Sequence, residues 1–145
     1  SLTYINLSQN KFTSLPKSIT NFTLLERLDI SHNQLTSLPE SIENLKCLTE
    51  LDVSHNQLTI LPKGIEHCKK ITRLDLGKNQ LSKQTTKSLG LCFQPISTLL
   101  NITSLDLREN QLTQIPKCLE NLTKMNELFL DKNKPSCSPI YLFKA

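Results

Sequence analysis

Leu25-Glu26-Arg27-Leu28-Asp29-Ile30-Ser31-His32-Asn33-Gln34-Leu35 returns twenty-three residues later as Leu48-Thr49-Glu50-Leu51-Asp52-Val53-Ser54-His55-Asn56-Gln57-Leu58. Working outward, the marker asparagines are Asn10, Asn33, Asn56, Asn79, Asn110 and Asn133, at intervals of 23, 23, 23, 31 and 23. Self-similarity at such a period is the signature of stacked supersecondary units that bury their apolar faces against one another. Six copies start near Leu2, Leu25, Leu48, Ile71, Ile102 and Met125, the fourth an irregular repeat over 71–101. The expected organisation is a repeat array over 1–134 followed by a tail or partial cap over 135–145.

The spacing within a copy dictates its shape. Apolar residues two apart, as in Leu28 and Ile30 or Leu74 and Leu76, point to one face of a strand, so the residues between them face solvent. A strand this short cannot stand alone, but copies laid side by side form a parallel sheet over a shared interior. Each Asn ends a strand where the chain turns away, and its amide can satisfy backbone groups there as a stacked structural ladder. Pro16, Pro39, Pro62 and Pro116 set an extended backbone on the returning outer segment and oppose a long helix.

The repeated strand, the terminal Asn and the Leu-Pro-x-x-Ile continuation (Leu38-Pro39 to Ile42, Leu61-Pro62 to Ile65) resemble the leucine-rich repeat. The 23-residue form is similar to that of cytosolic Ras-scaffold and Scribble-type proteins. The resemblance implies an α/β fold: a curved right-handed solenoid with a parallel concave β-sheet and short 3-10, helical or extended convex segments. It also implies a protein-binding module whose binding residues lie on the concave strand face.

On that expectation the concave rows follow directly. The central row is Asn6, Asp29, Asp52, Asp75, Asp106 and Phe129, flanked by Tyr4, Arg27, Glu50, Arg73, Ser104 and Glu127. On the other side run Ser8, Ser31, Ser54, Gly77, Arg108 and Asp131, then Gln9, His32, His55, Lys78, Glu109 and Lys132. Candidate partner-binding residues are Tyr4, Arg27, Asp29, Glu50, Asp52, Arg73, Asp75, Asp106, Arg108 and Phe129, with His32, His55 and Lys78 as a flank. Four successive Asp about 4.8 Å apart repel one another, and Arg27, Arg73, Lys78 and Arg108 are expected to offset them. The same Asp residues also have a structural reading, because Leu-Asp-Leu is a common way to write such a strand. His32 and His55 should lie side by side; a repeated surface turn explains them without a metal, since no third soft ligand shares their face.

Composition supports this and excludes other classes. Of 54 apolar residues among 145, 28 are Leu and 11 Ile, so one aliphatic shape is reused throughout. No apolar run approaches a membrane span and no leader is visible, so membrane insertion is not expected. Aromatics at 5% and a dispersed charge of +4 give no nucleic-acid platform. Phosphate loops, nucleophile elbows and metalloprotease motifs are missing, and neither catalysis nor a cofactor is expected.

Cys47, Cys68, Cys92, Cys118 and Cys137 are widely spaced and odd in number, which favours reduced thiols in the cytoplasm. Sequons at Asn6, Asn21, Asn101 and Asn121 argue for a secreted or cell-surface alternative, although about two or three arise by chance in a chain so rich in Asn, Ser and Thr. In the fourth repeat, apolar residues at 89, 92, 93, 96, 99 and 100 have helical spacing, with Pro95 marking a kink or a second short helix. Lys83 and Lys87 of that insertion form a candidate secondary contact site. Tyr4 and Phe12 at one end, and Phe129 with the tail at the other, suggest a fragment of a longer parent.

The functional expectation is a monomeric, non-catalytic module for protein–protein interaction in intracellular signalling or scaffolding. Alternatives are the targeting domain of a phosphatase, kinase or GTPase whose catalytic part lies elsewhere, and an extracellular recognition domain.

Overall fold

Each repeat contributes one three-residue strand: β1 (Tyr4–Asn6), β2 (Arg27–Asp29), β3 (Glu50–Asp52), β4 (Arg73–Asp75), β5 (Ser104–Asp106) and β6 (Glu127–Phe129). A computed structural model describes residues 1–81 and 93–133, and in it the strands pair in parallel in sequence order as one six-stranded sheet. Register is strict: Tyr4, Arg27, Glu50, Arg73, Ser104 and Glu127 align across it, as do Ile5, Leu28, Leu51, Leu74, Leu105 and Leu128. The insertion with Lys83, Lys87 and Cys92, and the tail from 134, lie outside the described residues.

The interior is a column of aliphatic layers, one residue per coil. Leu25, Leu48, Ile71 and Ile102 form one layer, Ile30, Val53, Leu76 and Leu107 another, and Leu35, Leu58, Leu81 and Leu112 a third; all are buried. At the ends the layers loosen, with Ile5, Leu7, Phe12, Met125, Leu128 and Leu130 only partly buried. Interior residues pack on a described coil at each side, whereas among the described residues these have one.

The outer segments are five-residue 3-10 helices: η1 (Lys17–Asn21), η2 (Glu40–Asn44), η3 (Lys63–His67), η4 (Gln94–Thr98) and η5 (Lys117–Asn121). Pro16, Pro39, Pro62 and Pro116 are extended, with ψ between 130° and 147°, and each stands just ahead of its helix. The proline carbonyl then accepts the helix's own bond, as from Ile42 N–H to Pro39 O at 3.1 Å. The extended stretch expected from these prolines is thus confined to the proline, and one tight turn follows it. In the fourth repeat Phe93 takes this place and Pro95 is the second residue of η4, so the short helix begins at Gln94. Adjacent outer segments are locked by Glu40, whose Oε2 accepts Gly64 N–H at 2.7 Å and whose Oε1 accepts Lys63 N–H at 3.2 Å. Gly64 is required there: a Cβ would collide with the Glu40 carbonyl oxygen.

The asparagines tie each coil to the one before. Asn56 Nδ2 donates to Ile30 O of the preceding coil at 3.0 Å and to Val53 O of its own at 3.1 Å, while its Oδ1 accepts Leu35 N–H at 3.0 Å. Asn33, Asn79, Asn110 and Asn133 repeat this pattern on the carbonyls of Leu7, Val53, Leu76 and Leu107. Among the described residues Asn10 bonds only within its own coil, to Leu7 O and Ser8 O. The residue before each ladder Asn has positive φ: Gln9, His32, His55, Lys78, Glu109 and Lys132 lie between 52° and 60°. None is glycine, so backbone strain is accepted at every turn to aim the asparagine inward. Among the described residues no helix is long and apolar enough to cross a membrane.

Two substitutions test this account. Asn56→Ala strands Leu35 N–H in a buried layer, takes from Ile30 C=O one of its two donors and leaves it only Asn33 Nδ2, and should cost about 1–3 kcal/mol in chemical denaturation. Asn10→Ala, with no described coil on its outer side, should cost under about 1 kcal/mol. Equal losses at both positions would contradict the ladder.

Candidate functional site

The sheet's exposed face lines a groove of about 450 Å³. Its walls bring together Tyr4, Arg27, Asp29, Glu50, Asp52, Arg73, Asp75, Asp106, Arg108 and Phe129, along with Ser104 and Glu127. Three arginines face six carboxylates here, a net charge of −3 in a chain whose total is +4. His55 and Lys78 line a smaller adjoining notch of about 300 Å³ with Ser54, Gly77, Arg108, Glu109, Asp131 and Lys132.

Every carboxylate of the central row does a backbone job first. Asp29 Oδ1 accepts the Ser31 N–H at 3.0 Å and its hydroxyl at 2.7 Å, and Asp52 treats Ser54 the same way. Asn6 does so for Ser8. These are turns closed by a side-chain acceptor two residues back, which accounts for an Asp or Asn at this position in five of the six strands. Glycine at position 77 breaks the series, so Asp75 Oδ1 receives only the Gly77 N–H, at 2.9 Å. Asp106 Oδ1 accepts the Arg108 N–H at 3.0 Å, and the same carboxylate is clamped by the Arg108 side chain, with Nη2 to Oδ2 at 2.6 Å and Nε to both oxygens at 3.0 Å.

Cations meet this row differently from the sequence expectation. Among the described residues only Arg108 pairs with a central Asp. Arg27 pairs with Glu50 at 3.2 Å, and Lys78 and Lys132 pair with Glu109 at 3.7 and 2.9 Å. Arg73 makes no ion pair among the described residues, although register places it beside Glu50 and Ser104. At the two ends of the row a guanidinium lies over an aromatic ring: Arg27 4.8 Å from the Tyr4 centroid and Arg108 5.0 Å from that of Phe129.

Burial, followed by the charges of Asp52 and Asp106, raises the Asp75 carboxyl to about 6. Its hydrogen bond from Gly77 and the nearby Arg108 charge act against the rise without cancelling it. His32 and His55 stack at 3.8 Å between centroids, 19° from parallel. Burial, His32 and Lys78 together lower the His55 pKa. No group of three or more His, Cys, Asp or Glu able to hold a metal occurs among the described residues. Ser54 Oγ is held by Asp52 and not by a histidine. Cys68 is buried, gives its thiol to Ile42 O at 3.3 Å, and is pushed up to about 11 by burial, so it is an inert core thiol.

Three features escaped sequence reasoning: the positive-φ residues, the Glu40 bridge and the unsupported Asp75. The first left a trace, since Gln, His, His, Lys, Glu and Lys at that position include no β-branched residue. The third was present in the Ser8, Ser31, Ser54, Gly77 row as a missing hydroxyl.

The raised Asp75 pKa has a sign that can be measured. Folding favours the protonated carboxyl, so this residue's contribution is best below its unfolded value near 3.8 and is lost as pH rises through about 6. Asp75→Asn should therefore be more stable than wild type at pH 7, by about 1 kcal/mol after allowance for partial exposure, with the advantage shrinking as pH falls from 6 to 4. Thermal melts of the pair across that range check it.

Comparison with known proteins agrees with this geometry. None of the curated proteins compared with the chain matches it. Among solved structures, the Listeria monocytogenes internalin InlF is 26% identical, with TM-score 0.71 over 86% of this chain and 34% of its own. The Leptospira interrogans leucine-rich-repeat protein LIC12759 is 32% identical, with TM-score 0.65 over 90% of this chain and 37% of its own. TLR13 in its complex with ssRNA13 is 28% identical, with TM-score 0.77 over 90% of this chain and 19% of its own. The chain therefore spans about a third or less of the length of the internalin and TLR13 chains, and 37% of LIC12759. The family model described as a leucine-rich repeat region matches residues 1–138, and the chain belongs to the leucine-rich repeat family.

Proposed function

We propose that this segment is a non-catalytic protein-interaction module that docks a protein partner on the concave face of its sheet. One observation carries the reading. The groove gathers an exposed Tyr4, an Arg73 that makes no ion pair among the described residues, and the carboxylates of Asp29, Asp52 and Asp75 on a register-fixed surface. Aromatic and arginine side chains held ready on a rigid scaffold are the groups that dominate protein interfaces. Its six carboxylates against three arginines oppose a phosphate backbone, so a protein is favoured over a nucleic acid. A role in intracellular scaffolding, alone or as the targeting arm of a larger enzyme, fits Cys47, Cys68 and Cys118 as free thiols.

A secreted or cell-surface setting is the second reading, and the exposed sequon residues Asn21 and Asn121 at the ends of η1 and η5 favour it. Intact-mass analysis of the native protein after thiol alkylation separates the two. Five alkylated cysteines without glycan support the first setting; a glycan at Asn21 or Asn121 supports the second.

For the docking face, Arg73→Glu reverses a charge that the fold does not use. In a crosslinking pull-down from the native cell it should weaken partner capture about tenfold, with stability unchanged within about 0.5 kcal/mol. Glu66→Lys on the outer η3 should leave capture intact. The opposite pattern moves the site to the outer surface.

A further inference from the structure

The notch beside the groove has a cause in one residue. Coils with serine at this row fill the space above the central Asp, and Gly77 leaves it open between Ser54 and Arg108. Two carboxylates converge on that space: the point a Cβ would occupy is 3.2 Å from Asp75 Oδ1 and 3.4 Å from Asp106 Oδ1. Asp106 is already saturated by Arg108, but Asp75 has a single backbone donor and its Oδ2 accepts no hydrogen bond among the described residues. None of the rim cations pairs with it among the described residues, since Lys78 and Lys132 are held by Glu109 and Arg108 by Asp106. The His55 ring is stacked on His32, and burial with the charges of His32 and Lys78 lowers its pKa, which disfavours a further cation there.

The groove around the notch has matching charge and length. It is net negative in a net positive chain, so the complement for this face is cationic. The two guanidinium–aromatic pairs bracket it at β1–β2 and β5–β6. Five inter-strand steps separate β1 from β6, about 24 Å, which an extended chain covers in about seven residues. Arg73, without an ion pair among the described residues and next to the central row, is placed to take a carbonyl or carboxylate of the same segment.

We propose that the concave face takes an extended protein segment of about seven residues that sets a lysine or arginine side chain into the Gly77 notch, against Asp75. The inference rests on the concave-face reading and adds to it the chemistry of the anchor. Gly77 is then a specificity element: the one coil where serine is replaced by nothing is where the partner supplies the missing donor.

The test is a nuclear magnetic resonance titration of the isotopically labelled chain with three capped heptapeptides that differ only in a central lysine, norleucine or glutamate. The lysine peptide should shift the amides of Ser54, Gly77 and Arg108 and bind more tightly than the norleucine peptide. Gly77→Ser, which restores the side chain found in neighbouring coils and keeps the fold, should weaken lysine binding about threefold to fivefold, as should the near-isosteric Asp75→Asn. Equal binding of lysine and norleucine peptides, or an undiminished affinity in Gly77→Ser, would overturn the anchor. Concave shifts with the glutamate peptide alone would also overturn it while leaving the docking face standing. If no peptide shifts the β2–β5 amides, the anchor falls, and the Arg73→Glu pull-down decides separately whether the docking face falls with it.

Discussion

The carboxamide that ends each strand touches two coils at once, and the rest of the molecule depends on that double contact. Its NH2 group donates to a carbonyl in its own coil and to one in the coil before, and its oxygen accepts an amide from that preceding coil. Only a side chain with donors and an acceptor on one short stem does this, so neither aspartate nor leucine can replace it. With the turns held in register, three-residue strands become a sheet and the aliphatic layers close over one another. Hydrophobic burial supplies the driving force, but it is non-directional and does not choose a register. The asparagines choose it, and the left-handed backbone at the residue ahead of each is the local cost.

That arrangement settles what the exposed face can offer. Because the turn directly after each strand also needs an acceptor, the central row is acidic for a structural reason before it is acidic for a partner. The two readings of Asp29 and Asp52 are therefore compatible: Oδ1 closes the turn on Ser31 or Ser54, and the same carboxylates line the groove. Departures from the repeat carry more information than the repeat itself. Arg108 in place of serine quenches Asp106, and Gly77 in place of serine leaves Asp75 with a raised pKa and an open notch.

Much of this was legible in the amino-acid order. The period-two pairs such as Leu28 and Ile30 fix which residues face inward, and the 23-residue interval fixes the neighbours across the sheet, so the concave rows follow from counting. What counting does not reach is which polar atoms find each other. Arg27 lies near both Asp29 and Glu50, and it selects Glu50 because that residue shares its row in the adjacent strand. His32 and His55 were placed side by side by the repeat, but stacking depends on ring orientation, which spacing does not encode. The prolines signalled an extended path; the tight helix that follows each one depends on a bond to the proline carbonyl, which composition does not reveal.

Native-state hydrogen exchange at the amides of Leu35 and Leu58 tests the central claim most directly, since each donates to the side chain of the next coil's asparagine. If the ladder holds the coils together, these amides exchange only through global unfolding, and Asn56→Ala releases Leu35 while Leu58 follows the lowered global stability. Exchange of Leu35 and Leu58 in the wild-type protein as fast as that of exposed loop amides would contradict the account.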